Sequence, residues 1–559
     1  MQYSHLNFYR PRITRQYLYC RNESDPDILR YNHCVDMIRF KGKFWALWNA
    51  NAAPAEGVNG QYNYLSCSDD FIHWSAPVRL FDNPEHSENP IHDDHQWQPS
   101  LINVRDEYLL CAWCVVGTAV PRLFVSRSED GWHWTNHEVQ NAPDALYGIA
   151  NGFPTNHGYI TSSGRLIFPC SIPYRFPDGQ PGYTCYGCKY SGLLMSDDGG
   201  DTWFWSEPIR CADFTAYGEN TDVEGEAFAS TWEPMVYGLS GGRLGLLVRN
   251  SQGQDRFELK ESAHRMLFYS TSDDDGSTWT PSLPVEVETV CSRNFTLGSD
   301  LVKDGYIMLH NDQQVCVPTH IAGDRYHLGV FLTATEDPNT FLPGPVLFPQ
   351  GLAYYPNGFV DKDTLYFGAS APSGILCGTL TPLPDFSRPF LMLREGRTLP
   401  EYLGDGVYNI CSSACTIPLV LNRPLTEAQI LALRFCVTVH AYDEQDYPLL
   451  TVGGVSRNGF ILCAHCDADG EFVMACTTDG GRFRICPLHR GETLDIRVEL
   501  TATFASIRIN DSDAFTLPGW MIRKFAFGGL YLPQAWPDVA RNYAQVLLDV
   551  NSITLMDKI

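Results

Sequence analysis

The chain has 559 residues, 65 acidic against 40 basic side chains, a formal charge of −25 and a pI near 5.0. That field repels polyanions and excludes nucleic acid and anionic membrane surfaces as expected partners, although a local arginine cluster can still hold a small anion. With 44% hydrophobic, 13% aromatic and only 19% charged residues the chain can bury a large core, and its length calls for two or more domains. Nineteen cysteines, an odd number without a regular framework, fit free thiols in a reducing compartment. Cys185-x-x-Cys188 and Cys463-x-x-Cys466 fall in separate predicted domains, so neither a metal nor a cofactor is expected. The first twenty residues hold no apolar run of signal-peptide kind. A cytoplasmic protein is expected, or a secreted or periplasmic one if a leader has been removed.

In chain order, a short motif of serine or threonine, aspartate and then an aromatic residue recurs at intervals of about 60 to 76 residues. Its shorter copies are Ser68 to Trp74, Ser128 to Trp134 and the degenerate Thr335 to Phe341, and its full copies are Ser196 to Trp203 and Ser272 to Trp279. Serine and aspartate suit bonding to the backbone of a tight turn, glycine supplies positive φ, and tryptophan packs between sheets. These aspartates follow the repeat and are read as scaffold.

Upstream of each clamp lies a strand, a polar turn and a strongly apolar strand, beginning at Val35, Trp97, Phe153, Trp232, Phe295 and Tyr354. Six such segments predict an all-β chain with a six-bladed β-propeller over residues 1–385, its last sheet completed by residues 6 to 30. After residue 385 the repeat stops, and strands such as Leu494 to Leu500 and Phe504 to Asn510 predict a concanavalin-like β-sandwich over 386–559.

The clamps are similar to Asp boxes, and with six predicted blades the first domain resembles the sialidase (neuraminidase-like) superfamily of BNR-repeat glycoside hydrolases. The resemblance covers about two thirds of the chain and implies a substrate funnel where the inner strands begin. Glu233, in Trp-Glu-Pro, and Arg249, sixteen residues on, match the family's activating glutamate and one of its carboxylate-binding arginines. The plainer reading of that pair is a rim salt bridge. Arg325 matches the place of another arginine of the family's triad. Tyr354 or Tyr355 stands where the family has its tyrosine nucleophile, a phenol that avoids repulsion from the substrate carboxylate.

The first blade departs from the family pattern. Where sialidases carry an arginine it reads Tyr31-Asn-His33-Cys-Val-Asp36, so His33 or Asp36 faces the funnel, as expected for a neutral or differently charged sugar. The general acid is then Glu56, in the loop after the second strand, or Asp36. Asp94, His95, Trp97 and Gln98 lead into the second inner strand and either contact substrate or bond within their loop. His157 is a further candidate for contacting sugar hydroxyls. The stretch Glu219 to Glu226 reads as an acidic lid or a calcium-binding loop.

The leading expectation is an exo-acting glycoside hydrolase releasing a terminal sialic or related ulosonic sugar from an oligosaccharide or glycoconjugate. The alternatives are an exo-glycosidase or polysaccharide lyase acting on a neutral or uronic sugar, and a non-catalytic carbohydrate-binding propeller.

Overall fold

The computed structural model describes residues 3–5, 7–25, 27–116, 122–140, 152–173, 189–209, 231–250, 266–288, 292–311, 326–387, 390–393, 401–405, 407–411, 417–421, 425–440, 447–454, 457–477, 480–518, 530–532, 544–549 and 552–557. Among these the structure is built from strands, with single 3-10 turns and no α-helix. Each of the six strand–turn–strand segments opens a separate antiparallel sheet, the first strand of the third being split into Phe153–Pro154 and Tyr159–Ile160. The first sheet runs Tyr31–Phe40, Lys43–Asn51, Tyr62–Ser68 and Val78–Arg79, and the second runs Gln96–Val104, Tyr108–Val115, Arg122–Ser128 and Thr135–Val139. In the sixth, Tyr354–Asp361, Thr364–Ala371 and Gly374–Thr381 are joined on the outside by Arg12–Cys20 from the other end of the chain, so the sheet edge is covered.

Successive sheets touch in chain order, mostly through their first strands, with Leu166–Pro173 of the third sheet lying against Thr231–Gly238 of the fourth, and Tyr354–Asp361 lies against Tyr31–Phe40. Apolar side chains fill the spaces between neighbouring sheets. Trp45, from the first sheet, shares a core with Trp113, Phe124 and Trp134 of the second, and Trp113 stacks between Phe81 and Phe124 at centroid distances of 4.4 and 4.5 Å.

The clamps close the outer turns. Ser128 Oγ accepts from Gly131 N at 2.8 Å while Asp130 Oδ1 accepts from Trp132 N and His133 N, both at 2.8 Å. Gly131 has φ +85°, and a Cβ there would meet the Trp45 ring at 2.4 Å, so only glycine fits. The two clamp lengths differ in their last ligand. His73 and His133 bond the aspartate in the short clamps, both at 2.7 Å, and Thr202 and Thr278 do so in the long ones, at 2.5 and 2.6 Å.

Two larger sheets of nine and eight strands carry the remaining C-terminal strands. One core joins them, with Leu433 and Phe435 from one sheet packed with Phe460 and Leu462 from the other. The N-terminus enters both: Tyr3–His5 pairs antiparallel with Thr554–Asp557, and Asn7–Tyr9 pairs parallel with Phe390–Leu393. Tyr3–His5 and Asn7–Tyr9, expected within the unit 1–385, therefore hydrogen-bond to strands that follow residue 385.

Candidate active site

Four of the six inner strands begin with the same irregularity. Register shifts fall between His33 and Asp36, Trp97 and Ser100, Trp232 and Met235, and Tyr354 and Asn357. Within each, one non-glycine residue adopts the left-handed conformation: Cys34 (φ 55°), Gln98 (46°), Glu233 (54°) and Tyr355 (57°). Proline follows three of them, at 99, 234 and 356, tolerated because a bulge has no ladder bond for its missing N–H. Left-handed backbone costs roughly 1–3 kcal/mol per residue, so its repetition at one end of the strands needs a structural cause. Serines of the preceding sheet or its lead-in supply part of it, since the N–H groups of Cys34, Glu233 and Tyr355 donate to Ser370, Ser171 and Ser292 at 3.0, 2.7 and 3.1 Å.

These bulges bring Glu233 and Tyr355 together through Arg249. Arg249 Nη1 donates to Glu233 Oε2 at 2.5 Å and to the Tyr355 hydroxyl at 2.7 Å. All three side chains are buried, with Glu233 1% exposed. Burying a carboxylate and a guanidinium is expensive, and the pair offsets that cost only through close bonding. A surface salt bridge has neither the burial nor the phenol. The aligned triplets Trp-Glu-Pro and Tyr-Tyr-Pro also separate the two tyrosines. Tyr355 occupies the position of Glu233, whereas Tyr354 matches Trp232 and packs edge-on against Tyr355 with centroids 6.1 Å apart.

In the first sheet, where the family pattern has an arginine, His33 is buried with its ring 4.2 Å from that of Tyr355, and its Nδ1 lies 3.1 Å from Ser370 Oγ. Its Nε2 faces Glu56 Oε1 at 3.9 Å. Burial, and then the Glu56 carboxylate, push the neighbouring Tyr31 phenol well above its usual range, leaving it a neutral donor beside Glu56.

The Glu56 loop is tied down although its sequence is small and polar. Asn51 Nδ2 donates to Val58 O and Asn59 O at 3.0 and 3.2 Å, Gln61 Oε1 accepts from Gly57 N at 2.9 Å, and Asp94 Oδ2 accepts from Gly60 N at 3.1 Å. Asp94 and His95, bonded to each other at 2.9 Å, thus serve this loop. Trp97 walls its base, since a Cβ on Gly57 would lie 2.9 Å from the indole. Gln98 is buried, and its Oε1 has no partner among the described residues.

Residues 42–367 match the family model described as a BNR repeat-like domain, a span of more than half the chain. The chain belongs to the BNR repeat-like family. No curated protein matches this BNR repeat-like chain. Among solved structures it is similar to a protein of unknown function from Dyadobacter fermentans DSM 18053, with 16% identity over 66% of this chain and 98% of that one and a TM-score of 0.47. It is also similar to Trypanosoma rangeli sialidase in complex with 2,3-difluorosialic acid, with 12% identity over 98% and 96% of the two chains and a TM-score of 0.47. A second Trypanosoma rangeli sialidase structure gives 11%, 98%, 97% and 0.45.

Other predicted residues of the BNR repeat-like chain go elsewhere. Residues from all six inner strands, the whole of Phe295–Leu297 among them, line a separate chamber of about 620 Å³. His157 is on its wall and donates from Nδ1 to Asp36 Oδ1 at 2.7 Å. Asp36 is fully buried, and its remaining bonds come from Met37 N at 2.7 Å and Leu101 N at 2.6 Å. The structure therefore brings Asp36 to His157 and to backbone, and places neither against Glu233 or Tyr355. Two backbone N–H groups and the His157 ring thus occupy the Asp36 carboxylate, which is bonded away from the Glu233–Arg249–Tyr355 bridge.

Arg325, the acidic stretch 219–226 and Cys185 with Cys188 lie outside the described residues. Among the described residues no group of three or more His, Cys, Asp or Glu is placed to hold a metal ion.

Arg293 is the residue that sequence reasoning missed. It is 1% exposed, its Nη1 donates to Thr155 O and its Nη2 to Val35 O at 3.3 Å, and its guanidinium carbon lies 5.2 Å from the centre of the Tyr355 ring. Its only sequence signal is position, two residues ahead of the fifth inner strand Phe295–Leu297.

Proposed function

We propose that the six sheets are the blades of a β-propeller over residues 10–385, that the two large sheets form an accessory β-sandwich completed by residues 3–9, and that the chain is an exo-acting glycoside hydrolase of sialidase type. The observation carrying this reading is the buried bridge from Glu233 through Arg249 to Tyr355, which joins two sheets that are not neighbours. In the proposed reaction Tyr355 attacks the anomeric carbon of a terminal sugar through an oxocarbenium-like state, and its proton passes to Glu233. Glu56, on its tied loop above His33, protonates the leaving oxygen and then serves as base when water releases the sugar. The Arg249 guanidinium is proposed to grip a substrate carboxylate, with Arg325 as its companion. A sialic or related ulosonic sugar on an oligosaccharide or glycoconjugate is the substrate that this set of groups favours.

His33 in place of the first arginine favours a second reading, an exo-glycosidase or lyase on a neutral or uronic sugar, because an imidazole can hydrogen-bond sugar hydroxyls. The test is release of a chromophore from an aryl sialoside by the wild-type chain, with Glu233→Gln and Arg249→Ala beside it. Release by wild type that both substitutions abolish is expected. Equal inertness of all three removes the sialoside assignment, and an unsaturated uronic product from a uronic-acid polysaccharide would replace it with the lyase.

A further inference from the structure

We infer that Arg293 is a positioning residue that sets the ionisation of Tyr355 from beneath its ring. The inference rests on the reading of Tyr355 as the reacting phenol and names a group that neither the family resemblance nor the sequence assigns.

Arg293 is among the largest fully buried side chains of the molecule. Two of its donors are spent on the carbonyls of Thr155 and Val35, in the third and first sheets. Among the described residues it has no carboxylate within ion-pair distance, and its Nε has no acceptor. A buried guanidinium normally has a charge partner, because its desolvation is otherwise uncompensated. A group able to gain negative charge does lie against it, Tyr355, whose ring centre is 5.2 Å from the guanidinium carbon. Arg249 meets the same residue at its hydroxyl, 2.7 Å away. One cation therefore acts on the oxygen and a second on the ring, and both favour the phenolate over the phenol. The Tyr355 bulge reinforces this geometry, since the Tyr355 N–H is bonded to Ser292, the residue before Arg293.

The functional consequence is a division of labour among arginines. Arg249 can exchange one of its bonds for substrate, whereas Arg293, held by two carbonyls, stays fixed and keeps the phenol acidic while substrate enters. A buried positive charge supplied by the fifth sheet in this way offsets the arginine missing from the first.

The test reads Tyr355 without turnover. The intact protein is nitrated with tetranitromethane, which attacks phenolate, over a pH series, and modification of the Tyr355 peptide is quantified by mass spectrometry, with Tyr355→Phe as the blank. Arg293→Gln is expected to raise the pH midpoint of Tyr355 labelling by about 1–3 pH units. Arg293→Lys, which keeps the charge, is expected to leave it within about half a unit of wild type. Arg293→Met replaces the Gln variant if that one does not fold, since an apolar side chain fills the site without needing a partner. An unchanged midpoint in a folded Gln or Met variant overturns the inference, as does a Lys variant shifted as far as Gln. Labelling does not require a substrate, so a negative sialoside assay leaves this result standing, and hydrolysis with an unmoved midpoint removes only the role of Arg293.

Discussion

The two ends of the inner strands are built from the same six segments and do different work. At their starts, four strands spend left-handed backbone, and two of these bulges set a glutamate and a tyrosine on either side of Arg249, from the second strand of the fourth sheet, in one buried bridge. At their far ends the strands surround a chamber of about 620 Å³, and His157 on its wall bonds the buried Asp36, which two backbone N–H groups also satisfy. Strain and costly charge concentrate where chemistry is proposed, and saturated hydrogen bonding marks the end that holds the sheets together.

The largest expected effect lies at the first end. Glu233→Gln is expected to lower turnover of the cleaved glycoside by about 10²–10⁴-fold with the melting temperature little changed, whereas His157→Ala leaves turnover per folded molecule within a few-fold. Steady-state rates scaled to the folded fraction compare them, and equal losses from both substitutions would erase the distinction between the ends.

Next comes stability at the far end. Asp36→Ala removes the acceptor of three buried donors, two of them backbone, and is expected to cost about 3–5 kcal/mol in urea unfolding. A loss below about 1 kcal/mol would show that the Asp36 bonds are not what ties the first sheet to the second and third.

A smaller effect separates the tyrosines. Tyr354→Phe is expected to change turnover by less than about tenfold, because it sits in the position of Trp232 and not of Glu233, while Tyr355→Phe follows Glu233→Gln. Matching losses for the two tyrosines would mean that the bulge does not choose between them.

The smallest effect concerns the clamps. Bonds from Thr202 and Ser196 hold the Asp198 carboxyl at about 2, below its usual 3.8. A depressed carboxyl contributes stability above its unfolded value that disappears as pH falls through the folded one. Asp198→Asn is therefore expected to lower the melting temperature slightly at neutral pH, with the difference from wild type closing between about pH 4 and pH 2. A difference constant over that range would remove ionisation as the cause.

Much of this architecture could be read from the sequence, because repeats announce themselves. The clamps, the six strand pairs, and Glu233 with Arg249 all carry periodic or adjacent signals. Three features do not. The bulge at Cys34 adds a residue to the first strand, so alternation read from the sequence misassigns the faces beyond it, and Asp36 meets His157 of the third sheet. Residues 3–9 pair with strands hundreds of positions away, and no local pattern names a partner at that distance. Arg293 belongs to no motif, and its importance comes from what surrounds it. The choice of Tyr355 was available in the alignment of Tyr-Tyr-Pro with Trp-Glu-Pro, but only the shared left-handed bulge shows why that alignment matters.

The central claim is that Tyr355 is the atom donor to the sugar, and covalent trapping tests it most directly. The protein is incubated with a fluorinated sialosyl fluoride that forms a glycosyl–enzyme bond but releases it slowly, and the modified peptide is located by mass spectrometry. One sugar is expected on Tyr355, lost in Tyr355→Phe and retained in Tyr354→Phe. A sugar attached to another residue, or hydrolysis of sialosides without any adduct on Tyr355, would contradict it.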